Sequence, residues 1–181
     1  MADFLLSYEP MIVDEGGYKL HRVEGDTGGD TYAGIARNMN PDWAGWAYID
    51  RGEIPPTQLV RDFYRAGYWV PIRGDAIIDQ GVASTIFNFA INTSTPGKPS
   101  LAIKLAQIAA RVAPDGDFGE KTLAAVNALD GELFELRYFL AKVTRYAEIC
   151  NRDKAAINWG KSSGKKFLLG WVNRSIKEAA R

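Results

Sequence analysis

The chain has 181 residues, 46% of them hydrophobic and 24% charged, enough for one domain or two small ones with an ordinary core. Its 22 basic residues balance 22 acidic ones, so no net field draws it to nucleic acid or to an anionic membrane. A single cysteine, Cys150, and a single histidine, His21, exclude an intrachain disulfide and a cysteine or histidine metal cluster. No apolar run is long enough to span a bilayer. The start, Met1-Ala2-Asp3-Phe4, lacks the basic region and cleavage site of a signal peptide. The expectation is a soluble, monomeric protein made in the cytoplasm, which meets any outside target only after release or export. Aromatic residues make up 12%, with 5 tryptophans, and such rings pack cores or stack on the apolar faces of sugars.

In chain order, Phe4, Leu5, Tyr8, Met11 and Ile12 fall at helical spacing and predict a first helix from about Asp3 to Asp14. Pro10 lies inside it, lacks an amide hydrogen, and predicts a kink or a helix in two pieces. Gly16-Gly17 ends the helix, because glycine takes a left-handed C-cap without steric cost. The polar stretch from Lys19 to Asp30, with Glu24-Gly25-Asp26 and Gly28-Gly29, has the turn residues of a small β-hairpin. Thr31-Tyr32-Ala33-Gly34-Ile35 is expected to lead into a short helix. Pro41 to Gly52 reads as a loop or broken helix.

Pro55-Pro56-Thr57 is a helix start, with Leu59, Val60, Phe63, Tyr64 and Tyr68 on one face. Val70 to Asp75 breaks that pattern. Gly81 to Asn92 is apolar enough to be a central buried helix. Leu101 to Val112 is another, and Asp117 with Glu120 has capping-box spacing for the helix carrying Leu123 and Val126. Leu133 to Cys150 is a long amphipathic helix and Phe167 to Ala179 the last. The expected architecture is mainly α, with room for a small β-hairpin near residues 19–33. A soft boundary near Val70 to Asp79 divides it into regions 1–75 and 76–181.

Glu15 is the candidate for acid chemistry. It stands at the end of a predicted helix, where the negative end of the helix dipole disfavours ionisation. Loss of water would raise its pKa further, and a carboxyl group protonated near neutral pH can serve as a general acid. Hydrolysis of a glycosidic bond needs such an acid and a second, ionised carboxylate. Asp26, in a hydrated turn, suits the second role, with Glu24 as its competitor. The Thr31 hydroxyl can help to hold a water. Proton transfer and charge stabilisation suffice for this chemistry, so no cofactor or metal is called for.

Each of these residues taken alone reads more simply as a loop or cap residue. His21 reads as a surface or hydrogen-bonding residue, Asp115-Gly116-Asp117 as a turn and cap, and Cys150 as inert core. Lys161, Lys165, Lys166 and Arg174 read as a solvated basic face rather than a site for anionic wall polymers. Trp43, Trp46 and Tyr48 suit a glycan groove and packing beneath a loop equally.

The combination is more specific. Glu15-Gly16-Gly17-Tyr18, followed by Asp26-Thr27-Gly28-Gly29-Asp30-Thr31-Tyr32-Ala33-Gly34-Ile35, resembles glycoside hydrolase family 108, the bacterial and phage N-acetylmuramidases, some of them labelled secretion activator proteins. Tyr68-Trp69 is similar to the aromatic pair closing that family's second helix. Phe89-Ala90-Ile91-Asn92, the stretch from Asp115 to Leu123, and the stretch from Phe167 to Arg174 resemble its peptidoglycan-binding region. Ala33 departs from the family pattern, where a polar residue usually precedes Gly34. The resemblance implies a lysozyme-like helical fold and bacterial peptidoglycan as partner. It implies cleavage between N-acetylmuramic acid and N-acetylglucosamine, with Glu15 as acid, Asp26 and Thr31 assisting, and substrate contacts at Tyr18, Tyr32, Trp43, Trp69 and Asn92. Residues 1–75 would form the catalytic region and 76–181 a helical peptidoglycan-binding region packed on it. A non-catalytic wall-binding or secretion-associated protein on the same fold is the alternative.

Overall fold

The computed structural model describes residues 1–21, 29–152 and 165–179. The fold is mainly helical with one small antiparallel sheet. Helix α1 spans Phe4–Asp14, and its buried residues Phe4, Ser7, Tyr8, Met11 and Ile12 form one stripe at the helical period. Asp3 caps it by accepting from the Leu5 amide at 2.7 Å. The helix runs through Pro10 as one element, not as two pieces. Pro10 lies on the exposed face, where water can take the carbonyl that a proline amide leaves free.

The end of α1 is a Schellman closure. Gly16 N–H donates to Val13 O at 3.1 Å and Gly17 N–H to Ile12 O at 2.8 Å, with φ of +90° and +75° at the two glycines. Glu15 is thereby fixed as the C-cap residue.

The sheet has three short strands: β1 (Leu20–His21), β2 (Thr31–Tyr32) and β3 (Ile35–Ala36), in that spatial order. The expected short helix after Thr31 is instead the hairpin β2–β3, with Tyr32 opposite Ile35 and Thr31 opposite Ala36. Ala33 and Gly34 form its two-residue turn with φ of +50° and +78°, the double left-handed conformation that matches strand twist.

Helix α2 (Trp46–Ile49) is one short turn inside the tryptophan-rich stretch. Helix α3 (Thr57–Tyr64) widens into a π turn over Arg65–Trp69, closed by Val70 N–H to Arg65 O at 2.9 Å. Gly67 O in that turn accepts from Gly97 N–H at 2.7 Å. A methyl group on Gly67 would meet Pro96 at 2.9 Å, so the two segments touch only because the residue is glycine.

Helix α4 (Gln80–Thr93) is the central helix that its apolar sequence predicted, capped by Asp79 onto the Val82 amide at 2.9 Å. It has two packing faces. Phe87 meets Phe4 and Trp69 at 5.9 and 5.6 Å between ring centroids, and Phe89 meets Tyr138 at 5.8 Å. Helices α5 (Ser100–Ala109), α6 (Glu120–Asn127), α7 (Gly131–Arg152) and α8 (Lys165–Ala179) complete the chain. The buried core is continuous from Phe4 to Tyr146, across the boundary expected near 70–79.

The capping box expected for α6 is not formed. Gly119 occupies the N-cap, and the preceding turn is pinned from below by buried Gln107. The Gln107 amide donates to Asp115 Oδ1 and Asp117 O at 2.6 and 2.9 Å, and its carbonyl accepts from Gly116 N–H at 2.9 Å. Among the described residues, no helix is long and apolar enough to cross a membrane.

Candidate active site

Three elements meet at Glu15. The end of α1 presents the carboxyl, the β2–β3 turn approaches it, and α3 with its π turn supplies Tyr64 and Tyr68, one helical turn apart. The approach is tight. A Cβ on Gly34 would lie 3.1 Å from Glu15 Oε2 and 2.5 Å from the Tyr64 hydroxyl. That hydroxyl donates to the Ala33 carbonyl at 2.9 Å and so holds the strained turn against the acid. Ala33 is fully buried there, which accounts for a small apolar side chain at that position.

The electrostatics follow from this packing. Burial pushes the Glu15 pKa above the usual carboxyl value; the Arg174 guanidinium opposes this and the Asp14 carboxylate reinforces it. Burial, then the Glu15 charge, raises the Tyr68 hydroxyl to about 12 and also raises Tyr64. Both tyrosines therefore remain neutral donors beside the carboxyl. Burial and a 2.9 Å hydrogen bond to the Tyr18 hydroxyl likewise raise Tyr8, which ties Tyr18 to the underside of α1.

Arg174 comes from α8, and its guanidinium donates to Asn92 Oδ1 at the end of α4. Arg174 is exposed, in keeping with a solvated basic face, and its contact with Asn92 also brings positive charge toward Glu15. Lys161 lies outside the described residues.

The other candidates divide. Tyr18 is half-buried and Asn92 exposed, so both can meet a ligand. Thr31 is half-buried in β2, opposite His21 and Ala36, with its neighbour Tyr32 facing the core. Tyr32 is 4% exposed and stacks on Trp43 at 6.0 Å. Trp43 itself is half-buried, packs edge-on to Trp46, and donates to Leu59 O at 3.3 Å. Packing beneath the loop is therefore the better description of this pair.

Trp69 is a clear correction. Its exposure is 0%, its indole donates to Asp75 Oδ1 at 2.8 Å, and it fills the core between Phe4 and Phe87. It supports the site from within and offers no face to a glycan. Asp26 and its competitor Glu24 lie outside the described residues. His21 is exposed and Cys150 is a free, buried thiol, as expected from the sequence.

Sequence reasoning missed Tyr64 and Arg174 as neighbours of the acid. Tyr64 reads as one more apolar-face residue of α3, and no local signal links residue 174 to residue 15.

Comparison with known proteins places the chain by domain and by fold. The family model described as glycosyl hydrolase 108 matches residues 8–93, and the one described as a predicted peptidoglycan domain matches residues 101–176. A search of curated proteins gives no significant match. Among solved structures, SagA of Brucella abortus is similar, with a TM-score of 0.67 and 25% identity over 98% of this chain and 92% of that one. Glu15, Gly34, Tyr64 and Tyr68 all fall inside the hydrolase match, whereas Arg174 falls inside the second. Residues 8–93 thus carry a glycosyl hydrolase 108 domain, followed by a predicted peptidoglycan domain over residues 101–176.

Proposed function

We propose that the protein is an N-acetylmuramidase that cuts the peptidoglycan glycan between N-acetylmuramic acid and N-acetylglucosamine. The observation that carries this reading is Glu15, desolvated at a helix C-terminus beneath the Gly34 turn, with its pKa raised by burial. Such a carboxyl keeps its proton to a higher pH than a solvated one and can give it to the leaving glycosidic oxygen. Asp26, with Thr31, would position a water or steady the oxocarbenium-like transition state. Tyr18 and Asn92 would contact the glycan. Residues 1–75 would supply the catalytic region, and the helices that follow would hold the strand against it. The enzyme would act on the wall after release or export.

The bond specificity has a direct test. Purified sacculi are digested, the new reducing ends are reduced with borohydride, and the sugars are identified. Reduced muramic acid as the sole new terminus supports the reading. Reduced glucosamine ends would make the enzyme a glucosaminidase. Wall binding without new ends would leave a non-catalytic binder.

A further inference from the structure

A cavity of about 270 Å³ opens between α4, α5, α7 and α8, beside Asn92 and Arg174. Its apolar lining comes from Phe89, Leu101, Ile149 and Trp171. Two guanidinium groups, those of Arg145 and Arg174, share it. Arg145 pairs only partly within the protein. Its Nη1 donates to Glu148 at 3.2 Å, but its Nε is buried and has no partner among the described residues. The Arg145 side chain is nevertheless 29% exposed, so its guanidinium can take a further acceptor from the cavity. Arg174 links the cavity to the acid, because its charge is felt at Glu15.

We propose that this cavity binds the peptide stem carried by the muramic acid, with a free stem carboxylate on Arg145 and the lactyl and alanine methyl groups on the apolar lining. The proposal rests on peptidoglycan being the substrate, but not on which bond is cut. The chemistry is complementary. A stem offers small apolar groups next to its attachment point and carboxylates beyond it, and guanidinium pairs with carboxylate in a planar, two-bond geometry. A glycan without stems offers only the lactyl methyl and carboxylate, held close to the sugar ring, and none of the alanine methyl groups or the carboxylates farther along the stem. The site would therefore select muramic acid residues that still carry stems, and place them beside Glu15.

The test uses two fragments that lack the bond to be cut: the disaccharide ending in muramic acid, with and without its peptide stem. Titration calorimetry of the full-length wild type should give at least about tenfold tighter binding of the stem-bearing fragment, the size of one charge-assisted contact. Arg145→Gln should bring the two affinities to within about threefold, and Ile149→Trp, which fills the cavity without changing charge, should do the same. Equal affinities in the wild type, or an undiminished preference in Arg145→Gln folded by circular dichroism, would overturn the proposal. Sacculus digestion run in parallel separates the two readings. Cleavage without stem preference removes only the cavity assignment, whereas stem preference without cleavage removes only the muramidase.

Discussion

At the scale of single residues, the site is a matter of one proton and its surroundings. The folded state raises the Glu15 pKa by burial, so it binds that proton more tightly than the unfolded chain does. Its contribution to stability is full below the ordinary carboxyl range and is lost as pH rises through the folded-state value. Glu15→Gln carries no ionisable group. The variant should melt with the wild type in acid and above it at neutral pH, the gap opening as pH rises. A constant gap, or one that opens in acid, would mean that burial does not oppose ionisation here. The position of Glu15 is legible in the sequence, since a carboxylate before paired glycines fixes both the helix end and its capping residue. Its partners are not. Tyr64 lies 49 positions away by subtraction of the residue numbers, and periodicity alone cannot distinguish a tyrosine facing the core from one facing an acid.

At the scale of elements, the β2–β3 hairpin brings backbone, not side chain, against the acid. Replacing Gly34 by alanine would strain a backbone at φ +78° and set a methyl carbon 2.5 Å from the Tyr64 hydroxyl. Gly34→Ala should cost about 1–3 kcal/mol in urea denaturation and lower activity beyond what stability explains. A neutral effect on both would show that the turn has room to move. The helices were largely legible because their apolar stripes keep the helical period, as in α1 and α4. Two local signals reach less far than the structure. Pro10 does not split α1, because on the solvent face the carbonyl it frees has water. The Asp117–Glu120 spacing fits a capping box, but buried Gln107 pins the turn first. Trp69 shows a third limit. An aromatic residue at a helix end suits core and groove equally from sequence, and only the packing of Phe4 and Phe87 around it decides.

At the scale of the whole molecule, α4 joins the two family-matched parts. One face packs against α1 and the π turn, the other against α5 and α7, so the parts share a core. The last helix then returns to the first. Trp171 packs on Tyr146 at 5.2 Å, buried Ser175 meets the Tyr146 hydroxyl at 3.4 Å, and Arg174 projects to Asn92 and toward Glu15. The expected consequence is coupling between the peptidoglycan-binding helices and the acid. Arg174 favours the ionised form of Glu15, so Arg174→Gln should raise the Glu15 pKa and move the alkaline limb of the kcat–pH profile to higher pH. An unmoved limb, or one shifted downward, would disconnect the two parts. This long-range contact was not legible in the sequence, because it depends on how α7 and α8 pack rather than on any local pattern.

In the proposed mechanism the side chain of Glu15 supplies the proton for glycan cleavage. Its most direct test is the release of reducing ends from purified sacculi by wild type and by Glu15→Gln, at matched concentration and confirmed fold. A loss of at least about 10²-fold in kcat is predicted, the usual contribution of a general acid. Release by Glu15→Gln at the wild-type rate would contradict it.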